Sequence, residues 1–110
     1  MRFLFILWVC VASFSAQAKE PVIVVVSDFK FQPSEVVVTV GDTIRWENQE
    51  KFQYHSVWFE LSGEEEPDYF FPEESYEKTF LEVGEFPYRC GPHPKMMGLV
   101  RVMAKGQNNE

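Results

Sequence analysis

The 110-residue sequence is poor in cysteine and histidine, with two of each, and poor in bases, with 10 Lys and Arg against 17 Asp and Glu. Each scarcity excludes something. A formal charge of −7 argues against a nucleic-acid partner, whose phosphates are gripped by clustered Lys and Arg. No apolar run reaches the ~20 residues a helix needs to span a bilayer. The longest run, Phe3 to Phe14, follows Arg2 and precedes Ala16-Gln17-Ala18. That order predicts an export signal cleaved after Ala18, so that the mature protein begins at Lys19 and resides in the periplasm. Cys10 sits inside the run without the small residues that precede a lipidated cysteine, and is expected to be discarded with the signal. Removing Arg2 makes the remainder one unit more negative and leaves Cys90 as its only thiol. An internal disulfide is thereby excluded. A lone cysteine kept in an oxidising compartment needs another use, such as metal ligation.

Helical periodicity is absent as well. Residues 19–105 are long enough for one small domain and too short for two, and residues 106–110 form a polar tail. Strands are expected at Val22 to Val26, Glu35 to Val40, Thr43 to Glu47, Tyr54 to Leu61, Ser75 to Leu81, Phe86 to Cys90 and Leu99 to Met103. Breaks are expected near Ser27-Asp28, at Phe31-Gln32-Pro33-Ser34 and at Gly41-Asp42. Asn48 to Lys51 reads as a polar turn. Ile44 and Trp46 share one parity, and so do Phe86, Tyr88 and Cys90, which turns Cys90 inward and Arg89 outward. The recurrent turns favour an all-β fold, a Greek-key β-sandwich of seven or eight strands.

What the sequence does contain is a concentrated set of soft ligands. Within Tyr88-Arg89-Cys90-Gly91-Pro92-His93-Pro94-Lys95-Met96-Met97-Gly98, a thiol, an imidazole and a thioether fall inside seven residues, and the only other imidazole is His55. A strand ending at Cys90 aims its thiolate inward, and a turn through Gly91 and Pro92 can bring His93 to the same metal. His55, Cys90, His93 and Met96 form a His2Cys set with a weak thioether, which suits one copper cycling between Cu(I) and Cu(II). Structural zinc prefers four Cys or His ligands and does not recruit methionine.

The chain resembles the cupredoxins, the small blue copper proteins of the plastocyanin, pseudoazurin and amicyanin group. The resemblance runs through Phe31-Gln32-Pro33-Ser34-Glu35, Val40-Gly41-Asp42-Thr43-Ile44, Trp46-Glu47-Asn48, His55-Ser56-Val57, Gly84 and Tyr88 to Val100. The two-residue gap between His93 and Met96 is most similar to the amicyanin ligand loop. In these families the axial methionine stands two residues before a glycine, which implies Met96 as the ligand and leaves Met97 at the surface. Relatives usually carry Asn after the first histidine and Ser or Thr after the cysteine, and these two positions tie the ligand strands together. Here they are Ser56 and Gly91, so the usual link is not expected to form as it does there. Ser56, Gly91, Pro92 and Pro94 are expected to surround the ligands. Phe52 and Met97, with the two prolines, could form an apolar collar around a partly exposed His93.

The function this implies is electron transfer by one copper between exported redox partners, by a monomer. Two histidines are too few for a multicopper oxidase or a copper nitrite reductase, so an enzyme is disfavoured. The alternatives are a copper carrier that delivers its metal, and an adhesion-like sandwich with an incidental ligand set. Glu64, Glu65, Glu66, Asp68, Glu73 and Glu74 crowd into one irregular stretch, either a solvated loop or a field that steers a basic cytochrome or a periplasmic dehydrogenase or reductase. Tyr69 to Phe71 could tuck back to cap the core and hold those acids in place.

Overall fold

The structure, a computed structural model, describes residues 19–106 together with Phe3, Leu4, Ile6 and Val9. The expected cleavage site at 16–18, Cys10 and the tail beyond residue 106 lie outside the described residues. Among the described residues, no helix is long and apolar enough to cross a membrane.

Among the described residues, seven strands form where alternating residues need one buried face: β1 (Val22–Ser27), β2 (Lys30–Gln32), β3 (Glu35–Thr39), β4 (Thr43–Asn48), β5 (Ser75–Thr79), β6 (Gly84–Arg89) and β7 (Met97–Met103). One sheet runs β2-β1-β4-β5 and the other β3-β7-β6. β1 lies parallel to β4 and β3 parallel to β7, while the other neighbours are antiparallel. Between them lies an apolar core that includes Val24, Val26, Val36, Val38, Ile44, Trp46, Val100 and Val102. Burying each aliphatic side chain of this kind contributes about 1.5–3 kcal/mol relative to leaving it exposed.

Aromatic rings join the sheets. The Trp46 indole N–H donates to the Tyr88 hydroxyl at 3.1 Å, and burial pushes the Tyr88 phenol up to about 12. Tyr88 faces Gly98 across β6 and β7, and a Cβ at Gly98 would lie 2.7 Å from Tyr88 Cε1. Only glycine leaves room for the ring there.

Two stretches depart from the expected strands. The break expected at Phe31 to Ser34 begins inside β2. Asp28 and Phe29 take left-handed conformations, with φ 53° and 56°, and this two-residue turn folds Lys30 back onto Ser27. Tyr54 to Leu61, expected as a strand, is not one. His55, Ser56 and Val57 are all buried, so no two-residue alternation exists, and the segment crosses from one sheet to the other. Isolated bridges hold it at both ends, His55 to Phe70 and Trp58 to Arg89, before a 3-10 turn at Glu60–Ser62.

Candidate metal centre

Three ligand-bearing side chains meet at one end of the sandwich. Cys90 follows the last residue of β6 and is fully buried. Beyond it the chain doubles back, with Met96 N–H donating to the His93 carbonyl and Cys90 N–H to the Met96 carbonyl, each at 2.9 Å. This tight turn sets His93 beside Cys90 and turns Met96 into the core, while Met97, the first residue of β7, is 64% exposed. His55 arrives from the crossing segment, held by reciprocal backbone hydrogen bonds with Phe70 at 3.1 and 2.9 Å.

The resulting distances suit a metal. Cys90 Sγ lies 3.5 Å from Nδ1 of His55 and 3.5 Å from Nδ1 of His93, and the three ligand atoms all fall within 4.8 Å of one another. Bonds of ~2.0 Å to nitrogen and ~2.3 Å to sulfur, meeting at trigonal angles, would put sulfur and nitrogen about 3.7 Å apart. The side chains therefore stand almost where a trigonal His2Cys site needs them. Burial pushes the Cys90 thiol up, while the Ser56 N–H at 3.4 Å and the groups around His93 and Arg89 pull it back. A metal must displace that proton to bind the thiolate.

The surroundings fix how each ring points. His55 Nε2 lies 3.1 Å from Glu50 Oε1, and the same oxygen accepts the Phe29 N–H at 2.8 Å. A carboxylate at Nε2 keeps the proton there and leaves the Nδ1 lone pair directed at the thiol. Burial holds the His55 imidazole below its ordinary value, against the pull of Glu50 toward protonation. Phe29 stands edge-on to both imidazoles, with centroids 5.8 Å from His55 and 5.0 Å from His93. Tyr54 stacks on His93 at 6.4 Å, and Tyr69 stacks on Tyr54 at 5.0 Å. Glu50, Phe29 and Tyr54 escaped the sequence reading, since nothing local marks a carboxylate in a polar turn as a histidine partner.

Position 91 has no side chain for the usual link, as expected, and a link of another kind joins Ser56 and Gly91. Gly91 N–H donates to Ser56 Oγ at 2.8 Å, so the two ligand segments are tied without any side chain at position 91. A Cβ there would stand 2.7 Å from Ser56 Oγ and would collide with the Glu66 carboxylate. Pro92 is half-buried and Pro94 exposed beside His93, and Phe52 is 88% exposed.

The six acids do not share one surface. Glu64 pairs with Lys78, and its carbonyl accepts the Trp58 indole N–H at 2.9 Å. Glu66 lies against the ligand loop and accepts the Tyr69 hydroxyl at 3.3 Å. Glu65 and Asp68 are exposed and have no ion pair among the described residues, whereas Glu73 and Glu74 line a separate groove with Lys51 and Phe52. Of the expected Tyr69 to Phe71, only Phe70 tucks into the core and anchors this stretch, whereas Tyr69 and Phe71 are exposed.

Comparison with known proteins agrees with the geometry. Residues 21–103 match the family described as copper binding proteins, plastocyanin/azurin family. The chain is 36% identical over 85 residues to an amicyanin of Paracoccus denitrificans, a match covering 74% of this chain and 64% of that protein. It is 33% identical over 87 residues to an amicyanin of Paracoccus versutus, covering 76% and 65%. The match thus spans slightly less than two thirds of either relative's length. Among solved structures, a reduced tryptophan-to-tyrosine mutant of amicyanin aligns with a TM-score of 0.71 at 33% identity, covering 80% of this chain and 87% of that one. The Cu(I) form of a methionine-to-alanine mutant of amicyanin aligns with the same TM-score and coverage at 34% identity.

Proposed function

The chain belongs to the plastocyanin/azurin family of copper-binding proteins, and from that membership we propose that it is an amicyanin-like carrier of single electrons in the periplasm. His55, Cys90, His93 and Met96 hold its one copper. Bound there, copper supplies a one-electron couple that a soft thiolate and two imidazoles accommodate in both oxidation states. The protein's part is to keep the ligands still. Glu50 retains the proton on His55 Nε2, Ser56 ties its own segment to Gly91, and Met96 is packed into the core. Little has to move when an electron arrives or leaves.

The observation that carries this reading is the approach of Cys90 Sγ to both imidazole nitrogens at 3.5 Å. His93 is half-buried, with Tyr54 stacked on its ring and the exposed Pro94 next to it in the chain, so an electron would pass where the ligand set comes nearest to solvent. Both histidines serve the one site, and the protein carries electrons without transforming a substrate. The partners are redox proteins, a basic cytochrome or a periplasmic dehydrogenase or reductase, met by a monomer. The deciding experiment is the absorption spectrum of the Cu(II)-loaded protein. An intense visible thiolate-to-copper charge-transfer band is expected, and a colourless Cu(II) complex would overturn the reading.

A further inference from the structure

We propose that Arg89 is a positioning residue for this centre, clamping the ligand loop to the crossing segment that supplies His55. The inference rests on the metal site proposed above. Strand parity turns Arg89 away from the core, yet its side chain folds along the surface toward the loop and is only 23% exposed. Its Nη1 donates to the carbonyls of both Cys90 and Gly91, each at 3.1 Å. Its Nε donates to Glu60 Oε2 at 2.6 Å, and the guanidinium lies over the Trp58 ring at 4.4 Å. Its backbone exchanges two hydrogen bonds with Trp58, at 2.8 and 3.1 Å.

One residue thus touches both segments that carry ligands. Glu60 and Trp58 hold the guanidinium from the side of the crossing segment, and the guanidinium holds two successive carbonyls of the loop. The first of those carbonyls belongs to the Cys90–Gly91 peptide, whose N–H is the one bonded to Ser56 Oγ, and the second belongs to the peptide that follows it. Gly91 has no side chain with which to fix that peptide, so its orientation depends on the groups that grip it from each side. Serine grips the N–H and arginine grips the carbonyls. Only a planar fork with several donors can reach two carbonyls and a carboxylate while stacked on a ring; lysine keeps the charge and loses the geometry.

The test compares wild type, Arg89→Lys and Glu60→Gln, the last of which frees only the outer end of the clamp. In the metal-free protein, Arg89→Lys is expected to speed hydrogen exchange at the Gly91 amide by about tenfold, the loss of roughly one hydrogen bond to a charged group. Core amides of β4 and β7 should not follow. In the Cu(II)-loaded protein the same variant should shift the thiolate charge-transfer band, and Glu60→Gln should change both readouts in the same direction by less. Unchanged Gly91 exchange in Arg89→Lys overturns the proposal, and so does an equal rise over the whole domain, which would make the contact general packing. A wild-type protein without a charge-transfer band would sink the copper reading, whereas the exchange measurement would still decide for or against the clamp.

Discussion

Replacing Gly98 with alanine tests the packing that carries Cys90 to the site. The new Cβ would meet the Tyr88 ring, with Cε1 at 2.7 Å and its hydroxyl end nearer still. Ordinary contact would require the ring to retreat by about 1 Å. It has nowhere to go: Tyr88 is 4% exposed, and the rings of Phe31, Phe59 and Trp46 lie 4.7, 5.2 and 5.5 Å from its own. Overpacking a filled core costs about 1–3 kcal/mol. A ring pushed off the Trp46 N–H also leaves a buried donor unpaired, at a further cost of about 1–3 kcal/mol. We expect Gly98→Ala to lose about 2–6 kcal/mol in all, at roughly 4–8 °C of melting temperature per kcal/mol. The assay is denaturant unfolding of the metal-free protein, so that metal binding does not mask the loss. Tyr88→Leu removes the ring and will itself destabilise, but in that background Gly98→Ala should be nearly silent. A loss below about 0.5 kcal/mol in the wild-type background, or an equal loss in both, would refute the argument.

Five further outcomes are expected. Cys90→Ser should abolish the visible band, because a hydroxyl cannot replace a soft thiolate; Met96→Ala should keep a coloured but retuned site, and a larger potential shift from Met97→Ala would show the axial assignment to be wrong. Glu50→Gln removes a negative acceptor from His55 and should raise the potential by roughly 20–60 mV, the one-electron equivalent of about 0.5–1.5 kcal/mol; voltammetry showing no rise would count against it. Because burial lowers the pKa of His55 in the folded metal-free chain, the unfolded chain takes up that proton first. Stability from this source is full above the ordinary value of 6.5 and is lost as pH falls below it through the folded value, so His55→Gln should flatten the stability profile just under that pH. Finally, the association rate with a basic cytochrome should fall as salt shortens the Debye length from ~10 Å at 0.1 M to ~3 Å at 1 M, and less steeply after Glu65→Gln, Glu66→Gln and Asp68→Asn together; equal slopes would make the loop a solvated surface.

The sandwich was legible because most of its strands bury one face, and a two-residue period reports that burial directly. Ile44 with Trp46 and Tyr88 with Cys90 were placed correctly by parity alone. Tyr54 to Leu61 was not, because a segment crossing between sheets buries successive residues and carries no period. The β2 hairpin was hidden for another reason: its turn puts Phe29 in a left-handed conformation that a bulky residue seldom adopts. The ligand trio was legible through residue type and spacing, since few arrangements make use of Cys, His and Met so close together. Its supports were not. Glu50 reaches His55 only because the turn after β4 folds back, and Arg89 reaches two carbonyls only by bending away from the direction that strand parity assigns it.

The Cys90 thiol acquires a second meaning from where its partners sit. His55 hangs beside Phe70, whose carbonyl accepts the Asn48 side chain at the end of β4, while Cys90 prolongs β6 of the opposite sheet. A metal joining the two would rivet one sheet to the other, as a cystine does in many small exported domains. Unlike a cystine, this rivet closes only in the folded chain, and a ligand confined to the folded state adds about 2.7 kcal/mol at a hundredfold excess over its dissociation constant. Copper starvation would then do more than silence the carrier. It would loosen the sandwich, raise the fraction of unfolded chain and hand that fraction to the proteases of the compartment.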